Sequence, residues 1–305
     1  MPKPLPQFAG LFTGLSAFPL TPADENGRVE TNALQALVAR IVDGKADSIG
    51  VLGSTGIYAY LTREERQRAI TAAVEAANGQ IPVIAGIGAI RTDHVQALAR
   101  DAAAAGADAL LLAPVSYTPL TEDEVFQHYA TVAATTGLPL CVYNNPSTTH
   151  FTFSEHLLAR LSKIDAIQAV KMPLAKDLDF TGEILRLREK TPENFAIGYS
   201  GDWHCAEALL AGADTWYSVV GGLFPHAAAA LTKAAREKDT AETARIDAMF
   251  EPLWALFKAH GSLRVIYAAA SLLGLTKARP PRPLLPLADT LLPEIEKAIA
   301  ALPER

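Results

Sequence analysis

Ala166-Ile167-Gln168-Ala169-Val170-Lys171 is an apolar run that finishes on an amine. Its length and its isoleucine and valine fit a strand buried on both faces, where a terminal charge is out of place. Upstream, Leu138-Pro139-Leu140-Cys141-Val142-Tyr143 finishes on a phenol, and Ser48-Ile49-Gly50-Val51-Leu52 runs into Gly53-Ser54-Thr55-Gly56. Side chains alternate along a strand, so Ile167, Ala169 and Lys171 are expected on one face, and Cys141 and Tyr143 on one face. An amine, a phenol and a glycine-flanked hydroxyl pair therefore stand at the carboxyl ends of three strands. A parallel barrel gathers such ends on the face where its chemistry occurs.

The rest of the 305-residue chain repeats the pattern. Short apolar runs fall at Leu11–Phe18, Ser48–Leu52, Pro82–Ala85, Ala109–Leu112, Leu138–Asn144, Ala166–Lys171, Phe195–Tyr199 and Trp216–Val220. Amphipathic stretches follow them at 31–42, 62–77, 92–105, 121–136, 154–161, 177–190, 202–210 and 225–237, with apolar residues three and four apart. Thr62 with Glu65 and Thr121 with Glu124 are spaced as capping boxes. Gly106, Gly137 and Gly212 are placed to end helices in the left-handed conformation. Asp202 is placed to cap the helix that follows it.

Eight strand–helix units with right-handed crossovers predict an α/β fold, a (β/α)8 TIM barrel; a doubly wound open sheet is the other arrangement considered. Three further helices are predicted at 240–259, 262–273 and 286–301, joined by the stiff Arg279-Pro280-Pro281-Arg282-Pro283 segment. These helices either pack on the barrel alone or also build an oligomer. Residues 1–224 are read as the barrel core, and 225–305 as its last helix plus the C-terminal extension, all one structural unit.

Hydrophobic residues make up 50% and charged residues 20%, enough apolar side chain for a large core. The formal net charge of −6 and the absence of a basic face argue against nucleic acid and anionic membranes as partners. No segment has the length and apolarity of a membrane span. The opening Met-Pro-Lys-Pro-Leu-Pro lacks the pattern of a signal peptide. Cys141 and Cys205 have no CxxC neighbour and read as buried thiols, which fits a cytoplasmic setting. The seven histidines show no ligand spacing, so no catalytic metal is expected.

A lysine at a strand end is ordinarily a solvated charge. One that points into a barrel is desolvated, stays neutral and can attack a carbonyl. A strand-end tyrosine is ordinarily an amphipathic plug. Beside an attacking amine it can pass protons to and from a carbinolamine. The Gly53–Gly56 turn is weak evidence alone, but its amides and hydroxyls could cradle the carboxylate of a 2-oxo acid. Gly86-Ile87-Gly88 completes no dinucleotide fingerprint. Gly221-Gly222 has no basic neighbours and reads as a plain turn.

These motifs in this order, with Gly14 through Pro22, Ala107 through Leu111 and Ser200-Gly201-Asp202, resemble the dihydrodipicolinate synthase / N-acetylneuraminate lyase family of class I aldolases over nearly the whole chain. The resemblance implies a barrel with extra C-terminal helices, a homotetramer built from dimers, and Schiff-base chemistry on pyruvate or a longer 2-oxo acid without metal or organic cofactor. By position, Lys171 matches the Schiff-base lysine and Tyr143 the proton-transferring tyrosine. Ser54 and Thr55 match the pair that binds the substrate carboxylate, and Tyr217 a residue near the pyruvate site.

Several positions depart from the family. Synthases usually carry arginine two residues after the proline of the tyrosine motif, for the carboxylate of aspartate semialdehyde. Thr148 stands there, and a hydroxyl cannot make that cationic bidentate contact. Ile57 replaces a glutamate and Met172 an acid. The tyrosine lent to a neighbouring subunit falls at Ser116, beside Tyr117. The expected function is therefore a Schiff-base lyase, an aldolase or dehydratase. Ser116, Tyr117, Thr148 and Thr149 would suit a neutral hydroxylated tail, as in a 2-keto-3-deoxy sugar acid. The alternatives are a true dihydrodipicolinate synthase, a phosphate-binding barrel isomerase and a non-catalytic 2-oxo-acid-binding protein.

Overall fold

The computed structural model describes residues 10–303, so the opening Met1–Pro6 reading lies outside it. Eight parallel strands follow in chain order: β1 (Gly14–Ala17), β2 (Ser48–Val51), β3 (Val83–Gly86), β4 (Ala109–Leu112), β5 (Leu140–Tyr143), β6 (Ile167–Met172), β7 (Ala196–Tyr199) and β8 (Thr215–Ser218). Each pairs with the next, and β8 closes on β1 in the register Gly14↔Thr215 and Ser16↔Tyr217. The closed parallel barrel settles the fold against an open sheet.

The helices are α1 (Thr31–Asp43), α2 (Arg63–Ala77), α3 (Thr92–Ala104), α4 (Glu122–Ala133), α5 (Pro146–Thr149), α6 (Glu155–Leu161), α7 (Phe180–Arg188), α8 (Cys205–Leu210) and α9 (Pro225–Arg236). Beyond the barrel come α10 (Thr240–His260), α11 (Ser262–Leu272) and α12 (Leu292–Ala300). The extension reaches the barrel through α10, which packs on α8 and α9.

Strand alternation divides the apolar residues in two. Leu15, Ile49, Val51, Val83, Val142 and Val170 face the helices in one continuous core. Phe18, Ile84, Leu111, Cys141, Tyr143, Ala169 and Tyr217 fill the barrel itself. A packed interior leaves room for a ligand only at a mouth. At the carboxyl-end mouth the Phe18 ring lies so close over Gly50 that a Cβ there would fall 2.2 Å from it. Only glycine lets that ring turn inward.

The structure corrects several local expectations. Ile167 does not share a face with Ala169 and Lys171: the β5–β6 pairing slips by one residue between Leu140 and Cys141, and Ile167 joins the helix-facing core. Such a slip leaves an extra residue, here Gln168, and reverses the alternation before it. The helix expected from Asp177 starts at Phe180, because Asp179 accepts the Gly182 amide and caps it. Asp177 and Leu178 before it are left-handed. The last helix starts at Leu292 rather than 286, with Pro293 in the first turn, where its missing N–H is harmless. Thr121 and Glu124 form a full capping box. Thr62 caps α2, but the Glu65 carboxylate accepts the Val29 amide instead of completing the box. Gly106 and Gly212 are left-handed and Gly137 is not.

Candidate active site

Above Phe18, at the carboxyl ends of the strands, lies a cavity of about 450 Å³. Six of the eight residues singled out from the sequence line it: Ser54, Thr55, Tyr143, Thr148, Lys171 and Tyr217. They come from the turn after β2, from β5 and the helix behind it, from β6 and from β8.

Lys171 pairs in register with Tyr143 on β5 and with Gly198 on β7. Its side chain is only 3% exposed. The ammonium nitrogen stands 3.8 Å from the centroid of the Phe18 ring, 4.4 Å from that of Tyr143 and 5.5 Å from that of Tyr217. No carboxylate lies within ion-pair distance of it among the described residues. Burial pulls the amine down from 10.5 to about 8, against the opposing pull of Cys141 and Asp202. At neutral pH a usable fraction of the amine is then unprotonated, as a nucleophile requires.

The Tyr143 hydroxyl is held on two sides. It lies 3.1 Å from Ser54 Oγ and accepts a hydrogen bond of 3.1 Å from Asn145 Nδ2. Burial raises its pKa, and the two hydrogen bonds oppose that rise. The phenol stays protonated and can hand its proton on. Ser54 is carried by a strained turn: Leu52 and Ile57 on either side of it have φ of 58° and 52°. Bulky and β-branched residues rarely adopt that conformation, and such strain clusters at working sites.

Two of the eight residues lie elsewhere. Ser116 Oγ donates to the Thr118 carbonyl in its own loop. Tyr117 is 95% exposed, and neither residue lines the cavity. Thr148 is at the mouth, but its hydroxyl donates back to the Asn145 carbonyl, the ordinary habit of a threonine in a helix. Thr149 does the same and is buried. The Tyr217 hydroxyl points into the barrel, 3.4 Å from Cys141 Sγ. That thiol is pushed up to about 12 by burial, and both cysteines are free and buried.

Asp202, placed by the sequence to cap a helix, instead lines the cavity and is 2% exposed. The Trp216 indole and the Val219 and Val220 amides all donate to it. An aspartate just after a glycine carries the same sequence signal as an ordinary cap, so nothing marked it out. Trp203, Phe257 and Ser262 complete the outer wall and were also unanticipated. The last two belong to the α10–α11 corner, far along the chain from any strand. The lining contains no cation besides Lys171. Among the described residues, no group of three or more His, Cys, Asp or Glu could hold a metal ion, and no helix is long and apolar enough to cross a membrane.

A closed parallel barrel with one desolvated lysine at its carboxyl-end mouth, beside a hydrogen-bonded phenol, defines a lyase of the class I aldolase type. Comparison with known proteins narrows the class. The chain belongs to the Dihydrodipicolinate synthetase family, whose profile matches residues 11–302. Among curated relatives, the 4-hydroxy-tetrahydrodipicolinate synthase of Chlorobium limicola is 33% identical over 281 residues, 92% of this chain and 93% of that one. The enzyme of the same name from Alcanivorax borkumensis is 33% identical over 286 residues, 92% and 94% of the two chains. Among solved structures, a dihydrodipicolinate synthase from Agrobacterium tumefaciens is 60% identical with a TM-score of 0.95, over 96% of this chain and 99% of that one. The chloride-inhibited dihydrodipicolinate synthase of Acinetobacter baumannii, complexed with pyruvate, is 28% identical with a TM-score of 0.87, over 95% and 98%.

Proposed function

We propose that the protein forms a Schiff base between Lys171 and pyruvate, or the pyruvate-like end of a longer 2-oxo acid, and makes or breaks a carbon–carbon bond at C3. The observation that carries this reading is the buried Lys171 amine, brought down to about 8 in the one cavity that also holds Tyr143, Ser54 and Thr55. The substrate carboxylate rests on Ser54, Thr55 and the amides of their turn. Neutral Lys171 adds to C2, and Tyr143 protonates the departing hydroxyl so that water leaves. The iminium then acts as the electron sink.

The partner carbonyl decides between two readings. The names of the relatives support condensation with aspartate semialdehyde, the alternative reading of the sequence, better than they support the sugar-acid lyase placed first. One observation favours the latter. The cavity lining has no cation to receive a second carboxylate, and Thr148 stands where a synthase would hold arginine. The test is parallel assay of both reactions: condensation of pyruvate with aspartate semialdehyde through a coupled reductase, and consumption of a panel of 2-keto-3-deoxy sugar acids with release of pyruvate or of water. Turnover in the first selects the synthase, and turnover in the second the lyase. Tight pyruvate binding without turnover in either would leave a non-catalytic binding protein. We further propose a cytoplasmic homotetramer assembled from dimers, supported by the family resemblance. A monomer by light scattering would refute it.

A further inference from the structure

The cavity holds one carboxylate that the steps above leave idle. Asp202 sits after β7, the strand paired with that of Lys171, lines the same cavity and is nearly sealed from solvent. Its Oδ1 accepts from Trp216 Nε1 at 2.9 Å and from the Val219 amide at 3.3 Å, and its Oδ2 from the Val220 amide at 2.7 Å. Three donors on one carboxylate favour the charged form. They also fix where the charge stands. All three come from β8 and the turn after it, so the site is built to hold an anion beside the amine. The aromatic faces of Phe18, Tyr143 and Tyr217 offer the amine only weak attraction.

The other titratable groups facing Lys171 are neutral at pH 7: the Cys141 thiol and the Tyr143 and Tyr217 phenols. Around Asp202, Cys205 is likewise held neutral by burial. Asp202 is therefore the one fixed anion that the amine feels inside the cavity. Burial raises it to about 6, against the pull of the Val220, Trp216 and Val219 donors and, last, of Lys171. The amine and the acid feel each other from both sides.

We propose that Asp202 is the positioning anion of the Schiff base: held by Trp216, Val219 and Val220, it stabilises the iminium on Lys171 without touching the reacting carbon. The inference rests on the Schiff-base reading. A neutral amine and a neutral carbonyl combine with one proton to give a cationic iminium and water. One positive charge thus appears in a cavity whose lining offers no anion but Asp202, beside the carboxylate that the substrate itself brings. Below the titration of Lys171 the charge is already present as ammonium, and the anion gains nothing by the reaction. Above it the charge is new, and the anion contributes fully.

The test is Asp202→Asn, with pyruvate capture by borohydride measured across pH. Above about pH 8 the pyruvate needed for half-maximal capture should rise about tenfold, the effect of an opposite charge in the same buried cavity. Below about pH 7 it should change less than twofold. At the same time the pH at which Lys171 loses reactivity towards a small acylating reagent should move down by about one unit. Asp202→Glu, which keeps the charge, should restore both. A merely structural aspartate would weaken capture equally at every pH and leave the acylation curve in place, and that result would overturn the proposal. If Asp202→Asn does not fold, the wild-type curve decides. Acylation of Lys171 should fall only about threefold between about pH 7 and pH 6, where Asp202 takes up its proton and releases its hold on the ammonium. A constant tenfold fall per pH unit through that range would overturn the proposal. Absence of any wild-type adduct with pyruvate or longer 2-oxo acids would instead sink the Schiff-base reading itself.

Discussion

The rim formed by β5 and β6 and the loop after β4 both carry hydroxyl-bearing residues that the sequence nominates, yet they end in opposite environments. On the rim, Tyr143 and Lys171 are Cα partners on neighbouring strands, 6% and 3% exposed, with their side chains turned into the barrel. In the loop, Tyr117 stands in solvent and Ser116 bonds to its own backbone. The rim residues were placed by a physical rule, the two-residue alternation of a strand whose other face must meet helices. The loop residues were placed by resemblance alone. A strand fixes direction; a loop position fixes only proximity in sequence. The difference assigns the chemistry to strand ends and leaves the loop without a role within the single chain.

Replacing Lys171 with alanine should abolish turnover, by at least about 10⁴-fold, because no other amine lines the cavity. Tyr143→Phe keeps the ring and removes only the hydroxyl. It should slow turnover about 10²- to 10⁴-fold, the range of general acid–base catalysis, with little change in pyruvate affinity at equilibrium. Ser54→Ala with Thr55→Val should weaken pyruvate capture by about ten- to a hundredfold, as loss of hydrogen bonds to a charged group does. Ser116→Ala and Tyr117→Ala should each change turnover less than about threefold. A larger effect would mean that a second copy of the chain brings these residues to a neighbour's cavity, and the contrast drawn above would hold only for the isolated chain.

Stability offers an independent check on the rim. The unfolded Lys171 amine titrates near 10.5 and the folded one near 8, so the unfolded chain binds the extra proton between these values. Folding is penalised by the full amount below about pH 8, progressively less as pH rises, and not at all above 10.5. Lys171→Met should therefore be more stable than the wild type by about 3 kcal/mol at pH 7, and by less than about 1 kcal/mol at pH 10. Urea denaturation of the two proteins at both pH values measures this. Equal stability at pH 7 would show that the amine is not desolvated.

Much of this architecture is legible in the sequence, because buried parallel strands leave short, wholly apolar runs and helices leave three- and four-residue spacing. What escaped is instructive. The slip at Gln168 turned Ile167 away from the barrel, and strict alternation cannot foresee it. Asp202 looked like a helix cap because its three partners, Trp216, Val219 and Val220, are more than a dozen residues away. Phe257 and Ser262 reach the cavity only because α10 folds back over α8, a tertiary fact with no local signature.

The central claim is that Lys171 is a nucleophilic amine. The protein is incubated with pyruvate, reduced with borohydride, digested, and the adduct located by mass spectrometry. A Schiff-base lysine gives a single reduced pyruvate adduct on Lys171 that disappears in Lys171→Ala. An adduct on another lysine, or none with pyruvate or any longer 2-oxo acid, would contradict the claim.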